Sequence, residues 1–285
     1  MAAPGLEMQL QALGIIKGNL PTDPVDRANV EHCLRHGYVV LENYVTKEEV
    51  TVAKAEIDRL SGADPMKGRN TLEGLNTNSH IFTFEQDEGI RQVCNSSSCV
   101  GLERLLSGHW LQYYCVPHHP DQPRRRRSGH ASRYAHEPHE GVMMPSATSH
   151  VPHAVGECDN SGLKAFDEFT ADNGATRVVT GSHLWGADRR PECEESTPMV
   201  CPQGSVVYFL ATTWHCGGPN NSPNPRKSLT VQYCQPYIRQ IENQILAVDP
   251  RRLTEIPQRI VEMMGYRIHA PFIAYGVFLY TTPYV

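Results

Sequence analysis

Three runs, AFDEFTADNGATRVVTGSHLW (165–185), QGSVVYFLATTWHCGGPNNS (203–222) and NPRKSLTVQYC (224–234), read as strands separated by tight turns. The apolar run Val206 to Leu210 leads into His215, and Gly217-Gly218 follow at once, so an imidazole sits where a strand gives way to a turn. Eleven residues on, Arg226 opens a second β-rich run whose Leu229-Thr230-Val231-Gln232-Tyr233 alternation suits the wall of a β structure. Neutral imidazole is a good iron ligand, and a guanidinium fork is the natural partner of a carboxylate. The pair outlines a metal beside an acid-binding arginine, the layout of a 2-oxoglutarate site.

Composition sets the background. A chain of 285 residues with 40% hydrophobic content can bury one large β-rich core or two small ones. A net charge of −5 and a pI near 6.3 speak against nucleic acid as a partner, and Arg124 to Arg127 read as an exposed basic loop. The first 25 residues carry no basic-then-apolar leader, and no apolar run approaches the roughly 18 residues of a membrane span. A cytoplasmic protein with no membrane partner is expected. The nine cysteines are scattered, odd in number and without a CxxC pair, which predicts reduced thiols.

The N-terminal third supplies scaffold. Helical periodicity over Val25 to His36, a β-branched run at Tyr38 to Leu41, and a capping box at Thr46-Lys47-Glu48-Glu49 predict helix, strand and a second helix reaching about Leu60. Residues 61–80, rich in Gly, Asn and Thr, predict a loop, and Ile90 to Leu106 predicts a further helix.

Several strings resemble the phytanoyl-CoA dioxygenase family, particularly its fungal members in secondary metabolism of the meroterpenoid type. They are Asp172-Asn173-Gly174-Ala175-Thr176-Arg177, Gly181-Ser182-His183, Trp214-His215-Cys216-Gly217-Gly218 and Arg239-Gln240-Ile241-Glu242-Asn243-Gln244, together with HGYVVLENYVTKEEV at 36–50 and Gly265 to Phe272. The likeness spans roughly 20–114 and 164–276. It implies a mainly β fold with flanking α, a double-stranded β-helix (jelly roll, cupin-like) as a single domain over 1–285. Within it, the N-terminal helical scaffold occupies about 20–110, the jelly-roll core about 164–240 and a C-terminal tail 241–285. It further implies Fe(II), with His215 as distal ligand, and 2-oxoglutarate as cosubstrate, held by Arg226 through its distal carboxylate, by the Thr176 hydroxyl and by Arg69.

Residues 115–163 depart from the pattern. From Cys115 to Lys164 the sequence holds seven of the fourteen histidines, six prolines and the four-arginine run, with few large aliphatic residues, and no good strand can be written through it. The resemblance implies a strand here followed by His-x-Asp, whose two side chains would face one way and chelate iron. The sequence contains no His-x-Asp and offers Ala135-His136-Glu137-Pro138-His139-Glu140-Gly141 instead. His136 as proximal ligand leaves Pro138 where the carboxylate belongs; His139 leaves Gly141. Two alternatives stay open: Glu137 or Glu140 as substitute carboxylate, or a vacant coordination site of the kind that takes chloride in related halogenases. The other histidines of this polar, Pro-rich stretch read as solvated. Its composition also suits a replaced strand or a misread coding segment.

The expected activity is Fe(II)/2-oxoglutarate-dependent oxygenation of a bulky apolar natural product, by hydroxylation, desaturation or rearrangement, in a fungal secondary-metabolite pathway. The alternative is a non-catalytic homologue supporting an active paralogous oxygenase as a dimer partner, with a homodimer also open.

Overall fold

In the computed structural model, which describes residues 21–61, 66–67, 78–79, 159–186, 189–210, 212–234 and 243–268, the first regular element is helix α1 (Pro24–His36). Asp23 caps it by accepting from the N–H groups of Val25 and Asp26, and Pro24 occupies the first turn, where its missing N–H costs nothing. Gly37 ends it in the left-handed region at φ 86°, its N–H returning to the Cys33 carbonyl at 2.7 Å. Strand β1 (Tyr38–Leu41) follows directly. Helix α2 (Lys47–Ser61) opens on the expected capping box: Glu49 N–H donates to Thr46 Oγ1 at 3.2 Å while Thr46 N–H donates to Glu49 Oε2 at 2.9 Å. The residues predicted as a loop after α2 do contain two short paired strands, β2 (Met66–Lys67) and β3 (Asn78–Ser79). The helix expected over 90–106 lies outside the described residues.

Six further strands build two antiparallel sheets: β4 (Asp159–Ala165), β5 (Arg177–Val178), β6 (Thr197–Pro198), β7 (Val206–Leu210), β8 (His215–Cys216) and β9 (Ser228–Cys234). The larger sheet has the order β1-β7-β4-β9, the smaller β6-β5-β8. One expectation is corrected here. A strand does begin inside 115–163, because β4 starts at Asp159 and lies centrally, paired with both β7 and β9. Asp-Asn-Ser-Gly has poor β propensity, but full ladders on both sides override it. Gly162 sits beneath Tyr208 and Tyr233, whose rings cover the backbone that a side chain would otherwise shield.

Alternation assigns the two faces of the large sheet. Leu41, Val206, Tyr208, Leu210, Leu229, Val231 and Tyr233 turn to a layer of helices, where Val30, Leu34, Val50 and Ile57 meet them. The C-terminal segment joins this layer: α3 (Gln244–Ala247), a 3₁₀ turn (Pro250–Glu255), α4 (Gln258–Val261) and a π turn (Glu262–Tyr266) add Val248, Ile256, Ile260 and Met264. Ion pairs tie α2 to the sheet, Lys54 with Asp167 at 2.5 Å and Lys227 with Asp58. On the other face Leu163, Ala165, Val207 and Phe209 meet Phe169, Ala175, Val178, Met199 and Cys201, so the two sheets enclose a second, inner cluster. Cys33, Cys201 and Cys216 are thiols, not disulfide halves. Among the described residues no helix is long and apolar enough to cross a membrane.

Candidate functional site

His215 belongs to the short strand β8 and stands opposite Val178 of β5, a member of the inner cluster, so its side chain turns inward. Its ring packs on Phe209 at a centroid distance of 4.6 Å. Nδ1 lies 3.0 Å from the Thr213 carbonyl, which can only accept; Nδ1 therefore carries the proton and Nε2 keeps its lone pair. Burial holds the ring below its ordinary pKa, against the opposing pull of the Thr213 carbonyl, and so favours neutral imidazole. A neutral ring with Nδ1–H on a backbone carbonyl and Nε2 open is the state in which histidine binds a metal.

Arg226 enters the same cluster from the approach to β9. Its guanidinium lies over the Phe169 ring at 4.3 Å, and the residue is buried. Nη1 has no hydrogen-bond partner among the described residues. Asp167 is the nearby carboxylate, and its two oxygens already accept from Lys54 Nζ at 2.5 Å and the Lys227 N–H at 2.6 Å. Cys201, the other neighbour, has its thiol pushed up to about 11 by burial and stays neutral. Desolvation lowers Arg226 to about 10, with Asp167 and Cys201 opposing, which still leaves it charged at neutral pH. A buried cation costs several kcal/mol unless an anion meets it. The arrangement fits an anionic guest.

Ser228 was not singled out from the sequence, and it is the strongest addition. It pairs with Ala165 of the inner face, is fully buried, and its Oγ has no partner among the described residues. Two residues from Arg226, it is a second buried donor without a partner among the described residues. That two-residue spacing was the signal available beforehand. Thr176 is also buried, its carbonyl accepting from Met199 N–H at 2.8 Å. The turn carrying it packs directly on the turn after His215: a Cβ on Gly218 would stand 2.4 Å from the Ala175 carbonyl oxygen, so the two backbones touch.

His215 and Arg226 thus both border the inner cluster, through Phe209 and Phe169, and Thr176 is buried. His136, His139, Glu137, Glu140 and Arg69 lie outside the described residues. Among the described residues no three His, Cys, Asp or Glu side chains gather as a metal site. Residues fitting both guests are nevertheless present: an imidazole with its second nitrogen open for iron, and two orphaned buried donors for a carboxylate.

The sequence profile of the phytanoyl-CoA dioxygenase (PhyH) family matches residues 33–228. Dioxygenase swnH2 of Arthroderma benhamiae is 30% identical over 131 residues, covering 45% of this chain and 42% of that protein. Dioxygenase trt7 of Aspergillus terreus is 41% identical over 70 residues, 24% of each chain. The chain thus spans less than half the length of these curated relatives. The solved epimerase SnoN, in complex with Fe3+, alpha ketoglutarate and nogalamycin RO, superposes with a TM-score of 0.58 at 16% identity, over 75% of this chain and 85% of that one. At that identity the likeness establishes the fold, a double-stranded β-helix.

Proposed function

The chain belongs to the phytanoyl-CoA dioxygenase family, and from that premise we propose that it is an Fe(II)/2-oxoglutarate-dependent oxygenase acting on a bulky apolar natural product. The carrying observation is the buried Arg226, its Nη1 unpartnered among the described residues, beside the inner cluster on which His215 also packs. With dioxygen and 2-oxoglutarate, Fe(II) would supply an oxidant strong enough to attack an unactivated C–H bond. The protein's part is placement. His215 offers Nε2 to the metal. Arg226 and Ser228 hold the distal carboxylate of the cosubstrate, with Thr176 as a further hydroxyl donor. The apolar lining of Phe209, Phe169 and Val178 keeps bulk water from the reacting end. His136 or His139 would add the second imidazole. The choice of a bulky substrate is supported by SnoN, whose solved complex holds nogalamycin RO.

Succinate release by the purified chain with Fe(II), ascorbate and 2-oxoglutarate tests this. His215→Ala should abolish it while the circular dichroism spectrum stays native; full succinate production by the variant would exclude His215 as a ligand. The missing His-x-Asp favours a second reading, a non-catalytic homologue that supports an active paralogue as dimer partner. In that case the chain alone releases no succinate and enhances the output of the paralogue it binds.

A further inference from the structure

Helix α1 ends with carbonyls that need partners, and the partners come from the two turns that frame the site. His183 Nε2 donates to the Leu34 carbonyl at 2.9 Å, and Gly181 N–H donates to the His36 carbonyl at 2.8 Å. The Gly37 carbonyl accepts both Leu210 N–H at 2.9 Å and Thr213 Oγ1 at 2.8 Å. Thr213 is wholly buried, and every polar group it has is committed. Its N–H donates to the Leu210 carbonyl at 2.9 Å, its hydroxyl to Gly37, and its carbonyl receives Nδ1–H of His215. Ser182 Oγ accepts from Trp214 N–H at 2.9 Å and Val179 N–H donates to the Trp214 carbonyl at 2.9 Å, pinning the residue between Thr213 and His215.

We infer that Thr213 is a positioning residue: through its hydroxyl bond to the end of α1 it holds the carbonyl that fixes the His215 ring with Nδ1 protonated and Nε2 facing the enclosure. The inference rests on the reading of His215 as a metal ligand. Thr is needed because the position requires a hydroxyl donor and a small β-branched shape in a buried site. Valine keeps the shape and loses the donor; serine keeps the donor and loses a methyl. Outer partners of metal-bound histidines alter metal affinity by about 10- to 100-fold.

The test compares wild type, Thr213→Val and Thr213→Ser, all as the full chain. Long-range ¹H–¹⁵N spectra of the metal-free protein read the His215 tautomer directly. Wild type and Thr213→Ser should show Nδ1–H alone, and Thr213→Val a mixture. Anaerobic Co(II) titration should give about tenfold weaker binding for Thr213→Val, restored in Thr213→Ser, while the KM for 2-oxoglutarate, which depends on Arg226, stays within about twofold. An Nε2–H tautomer in wild type, or a single unchanged tautomer in Thr213→Val, overturns the inference. So does equal weakening by valine and serine, which would assign the effect to packing. Wild type showing the expected tautomer but taking up no Co(II) would instead sink the metal-site reading. A Thr213→Val chain that does not fold leaves the decision to Thr213→Ser and the wild-type tautomer.

Discussion

Arg226 is buried at 5% exposure with Nη1 unpartnered among the described residues, and replacing a buried charge with an apolar group of similar length is often neutral or stabilising. Arg226→Met should therefore leave the urea midpoint of the apo-protein unchanged or raised. The same variant should increase the KM for 2-oxoglutarate by about 10- to 100-fold, since each lost charge-assisted bond is worth about 1.5–3 kcal/mol, with turnover partly regained at high cosubstrate. A lower urea midpoint with unaltered KM would make Arg226 structural. The carboxylate that the sequence lacks for the proposed metal site is equally a matter of single residues. Pro138→Asp should tighten Fe(II) binding if His136 is the proximal ligand, and Gly141→Asp if His139 is; iron stoichiometry and succinate release of both variants separate the registers. Tight one-to-one iron in the wild type would show Glu137 or Glu140 already completing the site. At this scale His215 and Arg226 could be proposed from the sequence because each stands at a turn with a distinctive neighbourhood, and Thr176 through family resemblance. Ser228 and Thr213 were not, because serine and threonine are common in strands and only tertiary burial sets one hydroxyl without a partner among the described residues and bonds the other to the Gly37 carbonyl.

Among the elements, α1 and β4 show opposite relations between sequence and structure. The ends of α1 are spelled out by Asp23-Pro24 and Gly37, and the capping box of α2 is equally explicit. Strand β4 is hidden, since no local signal in Asp-Asn-Ser-Gly announces a central strand; its identity comes from β7 and β9 on either side. Two glycine substitutions separate these cases. At Gly37 a methyl group would lie 2.6 Å from His183 Nδ1, on a residue at φ 86°, so Gly37→Ala should cost more than about 2 kcal/mol. At Gly162 the nearest atoms to a new Cβ are Tyr233 Cε2 at 3.5 Å and Oη at 3.7 Å, an ordinary contact. Gly162→Ala should be neutral or stabilise by about 0.5 kcal/mol through the unfolded chain. Urea denaturation of both variants checks the contrast, and a Gly162→Ala loss as large as that of Gly37→Ala would show that β4 is not packed as described.

For the whole molecule, the acid limb of stability follows from histidines kept neutral by burial. His183 is lowered from its ordinary 6.5 first by desolvation, then further by His36, against the opposing bond to the Leu34 carbonyl. His32 and His215 are lowered likewise, again chiefly by burial. The unfolded chain takes up protons near 6.5 before the folded one does, so their contribution is complete above that pH and is lost as pH falls through the lowered folded values. Urea midpoints should be level from roughly pH 8 to 6.5 and decline toward roughly pH 5. His183→Gln, which can keep the donor to Leu34, should make the decline shallower without removing it. A limb of unchanged slope in that variant would mean His183 is protonated in the folded state. The layered plan at this scale was largely readable from alternation and family resemblance, whereas the C-terminal contribution to the helical layer was not, since short turns such as 244–247 and 258–261 carry too little periodicity.

The ladder between β1 and β7 joins Leu41 to Val206, and this separation sets a waiting time during synthesis. At about 5–20 residues per second, the ribosome needs on the order of ten seconds or more after making β1 before its partner emerges. Until then α1 exposes Val30 and Leu34, and no carbonyl at its end has found Thr213, His183 or Gly181. His215 and the helix end to which Thr213 bonds are made at different times. The sheet can complete only late in the life of the nascent chain, and chaperones that cover an unpaired β1 should govern the yield of folded protein more than its final stability does.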